Sequence, residues 1–262
     1  MKRHIIYILA ILGFIVPSAD CRATDIIEQA DSAYTADDFA TAARLYTEAI
    51  DSIGSSATLY YNLGNAYYRM GNLGKAIVNY ERSLRLDPTN QDARENLAFV
   101  NARITDQIGD SGTFLSNTVD NIVASAHPDT WGLIALSSFI LMLGAIALYV
   151  FASNVAIRKT GFFGGLILLA VTIIANILAF RGASKAQSHT TAIVIEPSTI
   201  LSTSPRQPKD RSEEAFLLHE GTKVEILDSV AVPADTTGRK WYDVSVDNSH
   251  RAWISSDAIE KI

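Results

Sequence analysis

The sequence is poor in cysteine and in charged side chains. It has one cysteine, Cys21, and only 19% of its 262 residues are charged. A lone cysteine can form neither an internal disulfide nor a cysteine-rich metal site. The 22 basic residues are outnumbered by 28 acidic ones, giving a formal net charge of −6. Because contact with nucleic-acid phosphates requires clustered lysine and arginine, this balance argues against nucleic acid as a partner.

Motifs for catalysis are also missing. Neither Gly-x-Ser-x-Gly nor His-Glu-x-x-His occurs, and the histidines are scattered along the chain. The stretch around Gly74 and Lys75 resembles a nucleotide-binding loop, but such a loop needs a glycine where Arg69 stands and a serine or threonine where Ala76 stands. The sequence therefore predicts no enzyme activity, no catalytic residue, no cofactor and no metal site.

What the sequence does have is three apolar runs, and the first lies at the N-terminus. Lys2 and Arg3 precede an apolar core of 12 residues, 5–16, and small residues follow it. This pattern is typical of a secretory signal peptide, residues 1–23, cleaved after Cys21 or Ala23. One alternative is an uncleaved anchor. The other is lipidation of Cys21, although Asp20 directly before it fits a lipidation motif poorly.

The other two apolar runs are each long enough to cross a bilayer. Residues 131–151 and 160–180 each contain 21 residues without a charge, which gives helices of about 31 Å against a hydrocarbon core of ~30 Å. A pair of buried core helices is the alternative. Arg158 and Lys159 in the short connection place that loop in the cytoplasm, although Arg181 and Lys185 on the far side weaken the charge signal. With an exported N-terminus, both flanking regions face away from the cytoplasm.

A 34-residue period runs through the segment before these helices. Three pairs of apolar or aromatic residues recur at this spacing: Ala42 and Ala76, Tyr46 and Tyr80, and Ile50 and Leu84. This is the tetratricopeptide period. Residues 57–90 resemble that repeat closely through Tyr60, Leu63, Gly64, Tyr67, Ala76, Tyr80 and Pro88. We predict an array over 24–105, with units at 23–56 and 57–90 and a capping helix at 91–104.

Tetratricopeptide arrays bind peptides on the concave face that their first helices form. The repeat phase places five residues of the second unit there: Tyr61, Asn62, Asn65, Tyr68 and Arg69. The amides can pair with a peptide backbone, and Arg69 can hold a carboxylate. Asp31 and Asp92 at equivalent positions argue against a clamp for a C-terminal carboxylate. The alternative for each residue is plain solvated surface.

The segment 106–130 carries apolar residues at helical spacing. It forms an amphipathic helix that either lies on the membrane surface or packs on the array; the sequence does not decide between them.

Residues 186–262 change to short β-prone runs separated by turns. Six runs are visible, at 192–195, 200–203, 215–218, 223–228, 241–246 and 251–255. Five to six short strands in so short a segment predict a small barrel. Gly221, Trp241 and Trp253 follow the order seen in bacterial SH3-like domains, which this segment resembles. Either tryptophan could form a ligand face, but at least one is expected to be core.

The sequence thus predicts a multidomain chain: an all-α tetratricopeptide array, a transmembrane helical hairpin and a small all-β SH3-like barrel. This order resembles the BatE-type proteins of the Bacteroides aerotolerance operon. The resemblance implies an inner-membrane, periplasm-facing protein that acts with von Willebrand A-type membrane proteins of the same operon. Two hypotheses remain: a scaffold that binds partner proteins through its repeats, or a cell-wall sensor whose barrel binds peptidoglycan.

Overall fold

The computed structural model describes residues 19–106, 114–188, 190–231, 239–247 and 249–262. Most of the predicted signal peptide, residues 1–18, lies outside the described residues, so its cleavage stays a prediction. The first described helix begins at Ala19 and so includes the last residues of that segment.

In the described part of the chain, five helices form the N-terminal array. They are α1 (Ala19–Thr35), α2 (Phe39–Ile53), α3 (Ala57–Arg69), α4 (Leu73–Leu86) and α5 (Gln91–Asn101). Helices α2 to α5 each begin after a polar residue whose side chain accepts a hydrogen bond from a backbone N–H three positions on. These capping residues are Asp38, Ser56, Asn72 and Asn90. Gly71, at φ +77°, ends α3 as the sequence predicts.

The small residues of the repeat lie where its helices cross. A Cβ added at Gly64 of α3 would stand 2.8 Å from two ring carbons of Tyr80 in α4. Ala42 and Ala76, 34 residues apart in sequence, are both fully buried. The predicted packing of the second unit is therefore confirmed: α3 approaches α4 closely, and the tyrosine ring fills the space that the glycine leaves.

Among the described residues, three helices follow: α6 (Phe114–Val123), α7 (Pro128–Phe151) and α8 (Val155–Gln187). By length and composition, α7 and α8 could cross a membrane. They pack as a hairpin in which Gly161 lies so close to α7 that an added Cβ would be 2.7 Å from the carbonyl oxygen of Ala145. The Ser138 and Thr172 hydroxyls are 2.8 Å apart across the same contact. Small and hydroxyl-bearing residues at a helix contact are typical of membrane helix pairs.

Helix α8 is longer than its apolar run predicts. Its 33 residues begin after the Asn154 cap and continue past Phe180 to Gln187, while the loop between α7 and α8 shrinks to residues 152–154. Hydropathy marks only the apolar stretch, whereas the polar residues on both sides are equally good helix formers. The extension carries α8 to within four residues of the first strand.

Helix α6 packs against this outer extension of α8. Arg181 of α8 donates to Asp120 of α6 at 3.2 Å, and Val123 of α6 is buried against Gly182. Arg94 of α5 donates to the carbonyl oxygen of Ala124 at 3.0 Å. The described part of the connecting segment therefore joins the array to the hairpin, while residues 107–113 lie outside the described residues.

The C-terminal part forms an antiparallel sheet. Its described strands are β1 (Thr191–Val194), β2 (Ser198–Ser202), β3 (Glu214–His219), β4 (Lys223–Ala231), β5 (Lys240–Ser245), β6 (Arg251–Ser255) and β7 (Ile259–Lys261). The spatial order is β3-β2-β6-β5-β4-β1-β7. One buried cluster contains residues from all seven described strands, including Ile259 of β7. The sheet therefore bends around its own core.

The estimate of five to six strands was too low by at least one. Strand β7 is only three residues long and reads Ile-Glu-Lys, which carries no usable alternation. It forms because β1 pairs with it, matching Ile193 to Glu260. A strand defined by its partner rather than by its own pattern is invisible to local sequence analysis.

The sheet packs directly on the helical array. A Cβ added at Gly74 of α4 would stand 2.7 Å from the carbonyl oxygen of Val194 in β1. Ile77 of α4, Val100 of α5 and Ile193 of β1 share one buried cluster. The sheet is thus packed against the repeat array, and the two are not joined only through the connecting chain.

Candidate functional site: the first-helix face of the array

The first-helix face is the surface of α1, α3 and α5 that points away from the second helices. In α3, Leu59, Leu63 and Ala66 turn inward and are buried. The predicted face residues lie between or after these buried positions in the sequence of α3. Tyr61, Asn62, Asn65 and Tyr68 are half-buried, and Arg69 is exposed. The structure therefore brings all five predicted residues together on one helix, but with unequal access to solvent.

Two tyrosines of the second helices reach through to this face. The Tyr46 hydroxyl donates to Asp31 at 2.6 Å. The Tyr80 hydroxyl donates to Asn65 at 2.7 Å. Burial, helped in Tyr46 by the bond to Asp31, raises the pKa of both phenols well above the ordinary value of 10.0. Both groups therefore stay neutral and act as fixed donors.

A second set of bonds links α3 to α5. The Asn96 amide donates to Asn65 at 3.0 Å and lies 3.4 Å from the Tyr61 hydroxyl. The Asn65 oxygen thus accepts from both Tyr80 and Asn96. The Asn65 carbonyl therefore connects the repeat to the capping helix, and the pairing of this amide with a peptide backbone stays a prediction. Helical phase fixes which face a residue occupies but not which neighbour it binds.

The side chains near the C-terminal end of α3 are more accessible to a ligand. The Arg69 guanidinium lies 3.0 Å from the Asp37 carboxylate and stacks over the Phe39 ring at 4.3 Å. Tyr68 meets Phe99 of α5 edge-on, with ring centroids 5.8 Å apart. Phe99 is 46% exposed. This end of the face combines a cation with accessible aromatic surface.

Sequence analysis missed two residues of this site, Phe99 and Arg103. The Arg103 guanidinium stacks on the Phe99 ring at 3.3 Å. They stand 34 residues after Asn65 and Arg69, so the repeat period could have found them. We name the contacting side chains Tyr68, Phe99 and Arg103, together with Arg69 next to Tyr68 on α3, the aromatic–arginine cluster. Two guanidiniums beside aromatic rings suit a peptide segment with acidic and apolar side chains.

Trp241 and Trp253, the two tryptophans predicted to form a ligand face, lie on the outward face of the sheet. Their strand neighbours point into the core, and side chains alternate along a strand. Trp241 is nevertheless only 7% exposed, whereas Trp253 is half-buried. Between them lies the buried carboxylate of Asp243, which accepts a hydrogen bond from Arg251 Nε at 2.9 Å. Trp253 therefore offers more surface to a ligand than Trp241 does.

No grouping of three or more metal-ligating side chains occurs in the described ranges between residues 19 and 262.

The helical geometry agrees with the comparisons with known proteins. Residues 57–90, the second unit with the predicted bounds, match the family model of the tetratricopeptide repeat. The chain is also similar to the Protein SGT1 homolog of Oryza sativa subsp. japonica, with 35% identity over 71 residues. That match covers 27% of this chain and 19% of the relative, so the chain spans about a fifth of the relative's length.

The chain therefore carries a tetratricopeptide repeat within a helical array, and such repeats bind partner proteins in general. Two apolar helices and an antiparallel sheet follow the array.

Proposed function

We propose that the chain is a membrane-anchored adaptor that binds a partner protein on the first-helix face of its repeat array. The observation that carries this proposal is the difference in access between the two sides of the second unit. The sheet packs on α4, whereas the hydrogen bonds and ring contacts given above for the aromatic–arginine cluster involve only array residues. Among the described residues, Arg69 and Phe99 keep exposed surface on that face with the sheet in place, and this surface supports the proposal.

Anchoring is the second part of the proposal. Many large apolar side chains of α7 and α8 point outward; Leu133 is 64% exposed and Phe180 77%. Exposing so much apolar surface to water is unfavourable, and a bilayer removes that cost. We place the array and the sheet on the periplasmic side of a bacterial inner membrane, in line with the predicted signal peptide.

The resemblance to BatE-type proteins suggests the partner. By that resemblance, von Willebrand A-type membrane proteins of the aerotolerance operon would bind the array, and the sheet would be an SH3-like domain. The proposed role is non-catalytic, and it requires no cofactor.

The test is co-purification with a co-expressed von Willebrand A-type membrane protein of that operon. Arg69→Glu combined with Arg103→Glu reverses two charges in the cluster, so we expect partner recovery to fall at least tenfold. Arg44→Glu is the matched control, because Arg44 is an exposed second-helix residue that pairs with Glu48 at 3.3 Å. Full recovery with the double variant would move the binding surface away from this face.

A cell-wall sensor is the second candidate function. The half-buried Trp253 beside the Asp243–Arg251 ion pair could stack on a sugar or hold a peptide. Binding of purified muropeptides to the full chain would support this candidate, provided that Trp253→Ala removes the binding. Binding that survives this substitution, or no binding at all, would leave the adaptor as the function.

A further inference from the structure

A cavity of about 230 Å³ lies where the array, α6, the hairpin and the sheet meet. Its walls include Pro128 at the start of α7 and Gly182 on the extension of α8. Four basic and two acidic side chains also line it: Arg85, Arg94, Lys185, Lys223, Glu81 and Asp120. A chain with net charge −6 thus concentrates positive charge at this junction.

Two of the four cations already have partners at the junction, because Arg85 donates to a backbone oxygen of Ile262 and Arg94 donates to the carbonyl oxygen of Ala124 at 3.0 Å. Glu81 pairs with Lys223 at 2.7 Å. Asp120 accepts from Arg181 at 3.2 Å and lies 4.0 Å from Lys185. The Lys185 side chain is 70% exposed, and this long contact leaves its ammonium group able to bind another anion.

The position of the cavity relative to the apolar runs indicates which anion. Pro128 precedes the apolar stretch 131–151, and Gly182 follows 160–180. In a bilayer these residues would lie just outside the hydrocarbon core, at the depth of the lipid headgroups. This step rests on the membrane anchoring proposed above. Leucine, valine and proline side chains in the wall would accommodate the glycerol and upper acyl carbons.

We infer that this cavity binds the phosphate headgroup of an anionic phospholipid, held chiefly by Lys185, with the Lys223 ammonium shared between the phosphate and Glu81. Basic pockets next to membrane helices suit such headgroups. Because helices of the array, the hairpin and the connecting segment all line the cavity, a bound lipid would contact each of these parts at once. Lipid composition would then influence how firmly the array is held at the membrane.

The experiment uses the full-length protein in detergent micelles, titrated with phosphatidylglycerol or phosphatidylcholine. We expect tighter binding of phosphatidylglycerol by the unchanged protein. Each basic side chain near an anionic lipid contributes about fivefold in affinity, so Lys185→Gln with Lys223→Gln should weaken binding about 30-fold. Lys159→Gln is the control: it removes the same charge at the opposite end of the hairpin and should leave the affinity unchanged.

The single variant Lys185→Gln tests whether weaker lipid binding is caused by a damaged fold. Its one ion-pair distance in the cavity is 4.0 Å, so the fold should survive while the affinity falls about fivefold. Equal affinity for both lipids, or equal loss with Lys159→Gln, would overturn the inference. A response to inorganic phosphate alone that matches the lipid response would overturn a lipid site in favour of a free anion.

Vesicle flotation separates this inference from the anchoring on which it rests. Failure of the chain to float with any vesicle would refute the anchoring. Flotation with phosphatidylcholine, combined with equal binding of both lipids, would refute the lipid site alone.

Discussion

The two sides of the second repeat unit differ in what they contact. The α4 side is covered by the sheet, through the close approach of Gly74 and the buried Ile77 and Ile193. The α3 side keeps Arg69 exposed, and the neighbouring α5 keeps Phe99 accessible. In the sequence both helices are amphipathic and look alike. The difference teaches that a repeat array can use one side for a module of its own chain and leave the other for a partner.

The covered side is also held by polar contacts. Arg82 donates to Glu260 at 2.6 Å and to the carbonyl oxygen of Lys261 at 2.7 Å. At the other end of the contact, Asp106 accepts from the His219 N–H at 2.7 Å and from the Thr222 hydroxyl at 2.8 Å. These bonds join residues more than 100 positions apart in sequence.

The largest effect is expected at Gly221. Its φ is +88°, and an added Cβ would lie 2.4 Å from Ile104 and 3.0 Å from Ile77. Gly221→Ala should cost about 2–4 kcal/mol, by combining left-handed strain with overpacking. Gly71→Ala is the control, because Gly71 has a similar φ of +77° with nothing within 4 Å. It should cost only about 1–2 kcal/mol. Equal losses in thermal unfolding of the full chain would contradict the packing of the sheet on the array.

Arg82→Ala should have the next largest effect. It removes charge-assisted hydrogen bonds across the contact, for which about 1.5–3 kcal/mol is typical. Because the two side chains are 27% and 32% exposed, the lower end is expected. Protease sensitivity of the sheet should rise in this variant and remain unchanged in Arg44→Ala. Unchanged sensitivity in both would show that apolar packing alone holds the sheet.

A pH effect is expected at Asp106. Burial acts to raise its pKa, but hydrogen bonds from the His219 backbone and ring and from Thr222 outweigh burial and lower it below the usual 3.8. A lowered pKa means that the contact is fully stabilised above that usual value and is lost as pH falls through the folded pKa. Asp106→Asn should therefore reduce the loss in free energy of unfolding that occurs as pH falls, the acid limb of the stability curve. An unchanged limb would show that other carboxylates govern it.

The smallest effect on stability is expected on the open side. Arg69→Ala breaks an ion pair whose side chains are 46% and 75% exposed, and such surface pairs contribute about 0–1 kcal/mol. The melting temperature should therefore hardly change, even if partner binding falls. A large drop would show that Arg69 is part of the fold's own packing and would weaken its assignment to a binding face.

Much of this architecture could be predicted from periodicity. The 34-residue period gives the second unit with the bounds of the family match, and each of the six β-prone runs overlaps an observed strand. Gly64 and Ala76 could be placed at a helix crossing because only small residues fit there.

The contact between array and sheet could not be predicted. Gly74, Glu81 and Arg82 look like ordinary surface residues of an amphipathic helix, and their partners lie far along the chain. The role of Asn65 was hidden for a similar reason, because its partners Tyr80 and Asn96 belong to different helices. Local patterns report which face a residue occupies, whereas tertiary pairing decides whether it remains available.

The unbroken course of α8 has a mechanical consequence. This helix runs from the hairpin loop to within four residues of β1 without a flexible joint. Each residue of an α-helix turns the chain by about 100°. Inserting one alanine after Phe180 would therefore rotate the rest of α8 by that angle, and it would carry Arg181 away from Asp120. The contact between α6 and the extension of α8 therefore depends on the rotational phase of α8, and so on the exact number of residues in that helix.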